Sequence, residues 1–385
     1  MASAALDLRR MVGRQSPATS HVRLAPWQEF AVPRAVVRWD HLSADASEAN
    51  PFFEGWYLLP ALRAFAADGS VDLLVFERDG ELAGLMPVAR ARSYERWPFP
   101  HLGNWVHANC FLGSPLVQAG LEEEFWTALF DHADSEAGLA LFLHLHAMPL
   151  EGPLHAALEA VCERQGRPWG TVAAHRRAVL ESDLAPDDYR QATLSKRRCR
   201  DLRRHLARLR DKGEVRFVWQ EGAEDIERWI EDFLQIESLG WKGARGSALA
   251  CHESTRALFT ESLREGASRN RLIRLALTLD GRPVAMLVNF LAKPGSFGFK
   301  TAFDPEFAAY SPGILLECEY LATLSRDDID WCDSCAAADH TVLDRLWTGR
   351  RRVGRVSIGI GGPARRTLFA GLLRAELSRN PEGVR

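Results

Sequence analysis

The sequence predicts a mixed α/β protein made of two similar domains, and three observations carry that prediction. Two stretches about 200 residues apart repeat one unit: Leu73-Leu74-Val75-Phe76-Glu77-Arg78-Asp79-Gly80 running on to Val88, and Leu275-Ala276-Leu277-Thr278-Leu279-Asp280-Gly281 running on to Val288. In each, an apolar run meets an Asp-Gly pair that tolerates positive φ and suits a tight hairpin turn, and a second apolar run follows. A helical pattern precedes each hairpin, at residues 50–66 and 252–267. The 385 residues are also enough for two full cores.

Taken in order, residues 1–35 read as a disordered or irregular N-terminal segment. Its start mixes Arg9, Arg10 and Arg14 with Ala, Ser and Pro and has no compact apolar region, so a secretory signal is not expected. The first domain, 36–180, follows its helix and hairpin with an aromatic, Gly- and His-rich stretch at 97–115 and an amphipathic helix at 121–136. A strand at 139–146 comes next, in which Leu139, Leu141, Leu143 and Leu145 alternate with other residues. The second domain, 181–385, repeats the order: helices at 224–240 and 252–267, a hairpin at 271–293, a strand at 296–301, a helix at 313–324 and a strand at 329–333. Layers of helices on a central sheet bury such alternating elements economically. Near the end, Gly359, Gly361 and Gly362 read as a turn and residues 367–377 as a helix packing on the second domain.

Apolar content of 46% and charged content of 26% are those of an ordinary soluble globular chain. No run approaches the roughly 18 consecutive apolar residues that a membrane helix needs. Seven cysteines, an odd number embedded in helix-like and strand-like patterns, do not read as a disulfide framework, and the expected compartment is the reducing cytoplasm.

The most charged segment is a basic linking helix at 193–213. It holds nine Lys and Arg against two Asp, about +7, leaving about −10 for the rest of a chain whose net charge is −3. Leu202, Leu206 and Leu209 fall at i, i+4 and i+7, the spacing of an amphipathic helix. Three readings follow, in this order: a solvated bridge between domains, a site for an anionic ligand such as a cofactor phosphate, and a nucleic-acid surface. No groove-reading or base-stacking motif accompanies the helix, and the pI of about 6.5 argues against a general polyanion binder.

Candidate chemistry concentrates after the second hairpin. A strand ends near Lys300, a short loop follows, and Ser311-Pro312-Gly313 opens a helix with a cap hydroxyl and a proline at its first position. Free amides and the positive dipole end of that helix favour a pyrophosphate or a carboxylate there. The bland alternative is a cap and nothing more.

This run to Leu316 resembles the CelD-like branch of the GNAT acetyltransferase superfamily. So do Asp333-Ser334-Cys335-Ala336, Asp339-His340 ahead of Leu346-Trp347, Glu237-Ser238-Leu239-Gly240-Trp241-Lys242-Gly243 and Ser195-Lys196-Arg197-Arg198. The resemblance covers about residues 180–352. It implies tandem GNAT-like domains, an arrangement similar to that of the Fem aminoacyl transferases. It also implies acyl transfer from acetyl-CoA or another acyl-CoA to an amine or hydroxyl, with a place in polysaccharide or envelope metabolism. The cofactor's pyrophosphate would then lie at Tyr310, Ser311, Pro312, Gly313, Ile314 and Leu315, and Trp241 and Lys242 would face the substrate. The usual Arg/Gln-x-x-Gly-x-Gly/Ala loop of such folds is missing here.

Acyl transfer needs a base for the nucleophile, a stabilised oxyanion and a proton for the leaving thiolate. Asp304, Asp333, Glu237 and His340 are candidate bases, Tyr310 a donor to the thiolate, and Lys300 a holder of the oxyanion or an anion. Lys300, Asp304 and Asp333 lead, because they are expected at adjacent strand ends, and alanine at Lys300 or Asp304 is expected to abolish turnover. Each has a plain structural alternative; Asp304 before Pro305, for instance, is a common turn former. Cys332 and Cys335 with His340 make one ligand pair where zinc usually takes two, and strand alternation parts the two sulfurs. A Cys335 nucleophile is a further alternative. His144 and His146 share a strand face with no third ligand in view, and no metal is expected.

Three functions are therefore carried forward: an acyl-CoA-dependent acyltransferase with a small-molecule or saccharide acceptor, a Fem-like transferase drawing on aminoacyl-tRNA, and a non-catalytic scaffold. Only the second copy of the repeat is followed by the strand-loop-helix. The first copy is expected to have kept the fold without the chemistry and to wall an acceptor cleft.

Overall fold

The computed structural model describes residues 19–338, 340 and 342–379. The irregular tail expected at the N-terminus lies outside these up to residue 18, and Asp339 lies outside them as well. Within the first unit the elements are β1 (Ser20–Pro26), α1 (Pro33–Ala44), α2 (Gly55–Phe65), β2 (Val71–Arg78), β3 (Glu81–Ala91), β4 (His101–Asn104) and β5 (Leu116–Val117). They continue with α3 (Glu122–Glu136), β6 (Phe142–Pro149), α4 (Pro153–Arg164) and β7 (Trp169–Leu180). Two helices, α5 (Pro186–Thr193) and the basic α6 (Lys196–Arg210), lead to the second unit. There β8 (Val215–Gln220), α7 (Ile226–Leu239), α8 (Trp241–Ala244), α9 (Glu253–Ser268), β9 (Leu272–Leu279) and β10 (Arg282–Ala292) come first. β11 (Gly295–Phe303), α10 (Pro312–Tyr320), β12 (Trp331–Asp333), α11 (Leu343–Leu346), β13 (Gly349–Gly359) and α12 (Pro363–Arg379) complete it.

The echo between the two halves is a structural repeat. Asp79 and Gly80 take φ of 52° and 83°, Asp280 and Gly281 take 50° and 78°, so both turns have the two positive-φ residues of a tight hairpin. The likeness reaches the preceding strand. Asp79 Oδ1 accepts from Thr19 N at 3.0 Å and Asp280 Oδ1 accepts from Glu214 N at 2.7 Å, each tying the turn to the residue just before β1 or β8.

The strands form a single sheet in the order β1-β2-β3-β4-β6-β13-β7-β12-β11-β10-β9-β8. Read from either edge, three antiparallel pairings are followed by one parallel pairing, β4 with β6 and β11 with β12. The two central strands are exchanged: β7 closes the first unit in sequence but pairs with β12, and β13 closes the second but pairs with β6. A long antiparallel seam between β7 and β13, from Gly349 beside Val179 to Ile358 beside Trp169, joins the halves. One core runs across them. Trp56 lies 4.9 Å from Phe290, Tyr57 5.8 Å from Phe299, and Phe290 stacks on Phe299 at 4.2 Å, ring centre to ring centre. Truncating a buried aromatic of this kind to alanine costs about 3–5 kcal/mol.

Several elements differ from expectation for identifiable reasons. Ser20–Pro26, expected to be irregular, is an edge strand held by the Asp79 turn. The helix expected from residue 50 starts at Gly55, because Asn50 is held outside it, donating from Nδ2 to Ser114 O at 2.7 Å. Leu139 is exposed and β6 begins at Phe142, after a turn with Gly138 at positive φ. The last helix packs on the first unit rather than the second, with Phe369 stacked on Phe142 at 5.1 Å. Strand exchange delivers it there, since β13 leaves the chain beside β6.

Candidate functional site

The parallel pair β11–β12 is hydrogen-bonded only from Gly295–Trp331 to Phe297–Asp333, where β12 ends while β11 runs on to Phe303. The register against β10 passes from Val288–Lys300 to Asn289–Gly298, which makes Phe299 a bulge and re-aims the residues on either side. A Cβ at Gly298 would lie 2.4 Å from Ser334 O, so the two backbones touch at the fork. Beyond the fork opens a cleft of about 560 Å³. Lys300 and Thr301 on β11, Ser311 to Ile314 and Glu317 at the start of α10, Cys335 and His340 after β12, and Trp241 and Lys242 line it.

The helix start at this cleft differs from expectation in one respect. Ser311 sits at φ 52°, ψ 49° and its hydroxyl makes no capping bond. Its carbonyl instead accepts from Ile314 N at 3.0 Å and Leu315 N at 3.1 Å. Pro312 has no N–H, so the Gly313 N–H has no partner among the described residues and is left at the positive end of the helix. Tyr310 and Leu315, expected beside them, are buried in the core instead. The Tyr310 ring lies 5.4 Å from Arg208 of α6 and 6.0 Å from Lys212 just past its end, and so anchors the basic helix. Leu202 and Leu209 are buried beneath that helix, in keeping with its apolar spacing.

Lys300 threads its amine between the rings of Phe111 and Phe299, 5.1 and 5.2 Å from their centres, and donates to Asn109 Oδ1 at 2.7 Å. Burial, with Lys242 nearby and Glu237 opposing, lowers it to about 8. Glu317, which sequence reasoning missed, is raised to about 7 by burial in spite of a hydrogen bond from Thr301. Its signal was present: a carboxylate four residues after Gly313, on the same face of a helix whose first turns are otherwise apolar. An acid titrating near neutrality and a lysine titrating slightly above it thus line the same cleft, a set of groups suited to proton transfer.

The other acidic candidates hold structure together. Asp333 is fully buried and accepts from Arg177 Nη2 at 2.7 Å, Arg351 Nη1 at 2.8 Å and Cys335 N at 2.9 Å, pinning β12 to β7 and β13. Burial would raise its carboxyl, but the two guanidiniums hold it below its usual value. Asp304 caps the short 3-10 turn Pro305–Tyr310 through Glu306 N at 3.0 Å and accepts from Arg282 at 2.6 Å. The expected grouping of Lys300, Asp304 and Asp333 does not form, because Asp333 pairs level with Phe297 and Asp304 lies seven residues further along the chain. Glu237 spends one oxygen on Lys242 Nζ and the other on Leu249 N, both at 2.8 Å.

At the rim, His340 is exposed and accepts from Leu343 N at 3.2 Å, and Trp241 is 62% exposed. Cys335 lines the cleft, but burial and Asp333 push its thiol far up, against use as a nucleophile. Cys332 faces the other way, toward Tyr320 and Thr323. His144 and His146 lie on β6 beside β13, pushed down to about 2 and about 4 by burial, and His144 bonds Ser357 Oγ at 2.8 Å. Among the described residues no group of three His, Cys, Asp or Glu side chains is arranged to hold a metal.

The equivalent fork of the first half is filled. β4 and β6 part after Gly103–His144, and Asn104 bridges the gap, donating to Gly113 O at 2.8 Å and His146 O at 2.9 Å and accepting from His146 N at 2.7 Å. Gly113 N donates to Ala147 O at 2.8 Å, and a Cβ at Gly113 would lie 2.0 Å from His146 O. The loop between β4 and Gly113 crosses to the other half and brings Asn109 and Phe111 to Lys300.

Residues 195–341 match the family model of the acetyltransferase (GNAT) domain, so the second half carries a domain of that superfamily. The structure of FemX is similar over 86% of this chain and 98% of that one, with TM-score 0.55 and 10% identity. A conserved protein of unknown function from Bacteroides thetaiotaomicron covers 84% of this chain with 97% of its own, at TM-score 0.54 and 12% identity. The C-terminal domain assigned to a lysylphosphatidylglycerol synthetase of Agrobacterium fabrum covers 88% with 95% of its own, at TM-score 0.51 and 11% identity. At such identities the likeness is one of fold: a mixed α/β tandem of GNAT-like halves. No curated protein matches the chain.

Proposed function

We propose that the protein is an acyltransferase that takes an acyl group from an acyl-CoA thioester in the β11–β12 fork and passes it to an amine or hydroxyl of a small-molecule or saccharide acceptor. The observation that carries this reading is the meeting of Lys300, Glu317 and the free Gly313 amide in one cleft at the start of α10. The residues of this fork fit a thioester donor: its phosphates would meet the Gly313 N–H and the helix dipole, with Ser311, Pro312 and Ile314 alongside. Glu317, ionised above about pH 7, takes the proton of the attacking amine or hydroxyl. The Lys300 ammonium stabilises the negative charge that develops on the carbonyl oxygen, a contribution of about 10²–10³ in rate for a single donor. The C–S bond breaks as the new C–N or C–O bond forms, and the thiolate recovers the proton from Glu317. Trp241, Lys242 and His340 stand at the rim for the acceptor. All seven cysteines are free, which suits a cytoplasmic enzyme, and no helix of the described residues is long and apolar enough to cross a membrane.

A second reading has one observation in its favour. A groove of about 570 Å³ lined by Ser195, Arg197, Arg198 and Arg345 shares Ile314 and Val342 with the cleft, so a basic surface adjoins the chemistry. An aminoacyl-tRNA donor would use it. Thermal unfolding separates the two readings. Acetyl-CoA at 100 times its dissociation constant is expected to stabilise the protein by about 2.7 kcal/mol. No shift with acetyl-CoA or longer acyl-CoAs, together with salt-sensitive binding of aminoacyl-tRNA, overturns the first reading in favour of the second.

A further inference from the structure

We propose that Asn109, supplied by the loop between β4 and β5 of the first half, is a positioning residue that fixes and tunes the Lys300 amine of the second half. Lysine can only donate, so the Asn109 oxygen must face the amine at 2.7 Å, which fixes the orientation of the amide. The backbone of Asn109 is itself clamped. Tyr57 Oη donates to its carbonyl at 2.5 Å, and its N–H donates to His107 Nδ1 at 3.3 Å. His107 is thereby the tautomer with its proton on Nε2, and burial together with Lys300 lowers it to about 4, so it stands neutral beside the ammonium. The remaining charged groups facing Lys300 are Lys242 and Glu237, already paired with each other at 2.8 Å, with Glu317 lining the same cleft. Apart from the faces of Phe111 and Phe299, the Asn109 oxygen is the one hydrogen-bond acceptor that the described protein gives this half-buried amine.

Two consequences follow from replacing that oxygen. A carboxylate in its place favours the ammonium, and an aliphatic side chain leaves it without an acceptor, so the two changes move the titration of Lys300 in opposite directions. The first half thus acts on the second half's chemistry through one amide. The proposed acyl transfer supplies the reason the amine matters, but the titration itself can be read without it.

The experiment is competitive labelling of the full-length protein with acetic anhydride across pH, with Lys300 acylation read by mass spectrometry in wild type, Asn109→Asp and Asn109→Leu, each first shown to be folded by its thermal unfolding. The expected inflection lies near 8 in wild type, about 1–2 pH units higher in Asn109→Asp and lower than wild type in Asn109→Leu. Unchanged inflections in both folded variants overturn the proposal. The alkaline limb of turnover with acyl-CoA, measured on the same proteins, tests the other reading separately. Should the labelling inflections move while that limb stays fixed, Asn109 still positions the amine, and what falls is the role given to Lys300 in acyl transfer.

Discussion

The two halves each end their antiparallel strands in a parallel pair that parts into a fork, and the forks have opposite fates. In the first, Asn104 replaces the missing strand hydrogen bonds with its own and the chain at Gly113 lies against β6. In the second the gap opens into the cleft, and the start of α10 faces it with an amide that has no partner among the described residues. A fork in this fold is an opportunity that needs either a plug or a ligand. The first half has used its opportunity for stability, and its spare loop reaches across to Lys300.

That contrast can be broken at several points. The largest effect belongs to the open fork: Lys300→Met is expected to lower kcat about 10²–10³-fold and Glu317→Gln about 10²–10⁴-fold, with unfolding temperatures close to wild type. The intact enzyme should show a bell-shaped rate profile, rising as Glu317 loses its proton near 7 and falling as Lys300 loses its own near 8. Glu317→Gln should lose the acid limb; a profile that keeps both limbs in both variants would place the chemistry elsewhere. Next comes the seam, where Asp333→Ala leaves the buried Arg177 and the half-buried Arg351 without their carboxylate and should cost about 3–5 kcal/mol in urea unfolding. Turnover in the fraction that remains folded should be little changed, because Asp333 does not line the cleft.

Asn104→Ala sharpens the comparison directly. It unpairs buried backbone groups and should cost about 1–3 kcal/mol, yet leave acyl transfer intact; a loss of turnover matching that of Lys300→Met would mean that the first fork also takes part. The smallest effect is Asp304→Ala, which removes a cap and an ion pair whose arginine is largely exposed, for about 1 kcal/mol. Abolished turnover in a folded Asp304→Ala protein would restore the direct role that its sequence position suggested.

Elements built from neighbouring residues were legible in the sequence. Asp79-Gly80 and Asp280-Gly281 specified both hairpins, and the run from Lys300 through Ser311-Pro312-Gly313 pointed to the cleft, because turns and helix starts are written in contiguous residues. What depended on distant partners was not. Asp333 read as a free carboxylate, since Arg177 lies 156 residues away in sequence and arrives only through the exchanged strand β7. Asn109 carries no local signal in its aromatic stretch, because its significance lies in Lys300, 191 residues on. Glu317 differs in kind: it lies one turn beyond the Ser311-Pro312-Gly313 helix start, outside the contiguous run that marks the anion site.

The exchange of β7 and β13 also decides how the protein can be divided. A cut in the connection after Leu180 would yield two fragments, each lacking the strand that completes its own half of the sheet and each carrying the strand that completes the other. Neither piece alone has a partner for its central edge, whereas mixed together they can restore every strand pairing. Co-expressed, the two should therefore behave as an obligate heterodimer whose assembly brings Asn109 to Lys300, so that catalysis would report on reunion of the pieces.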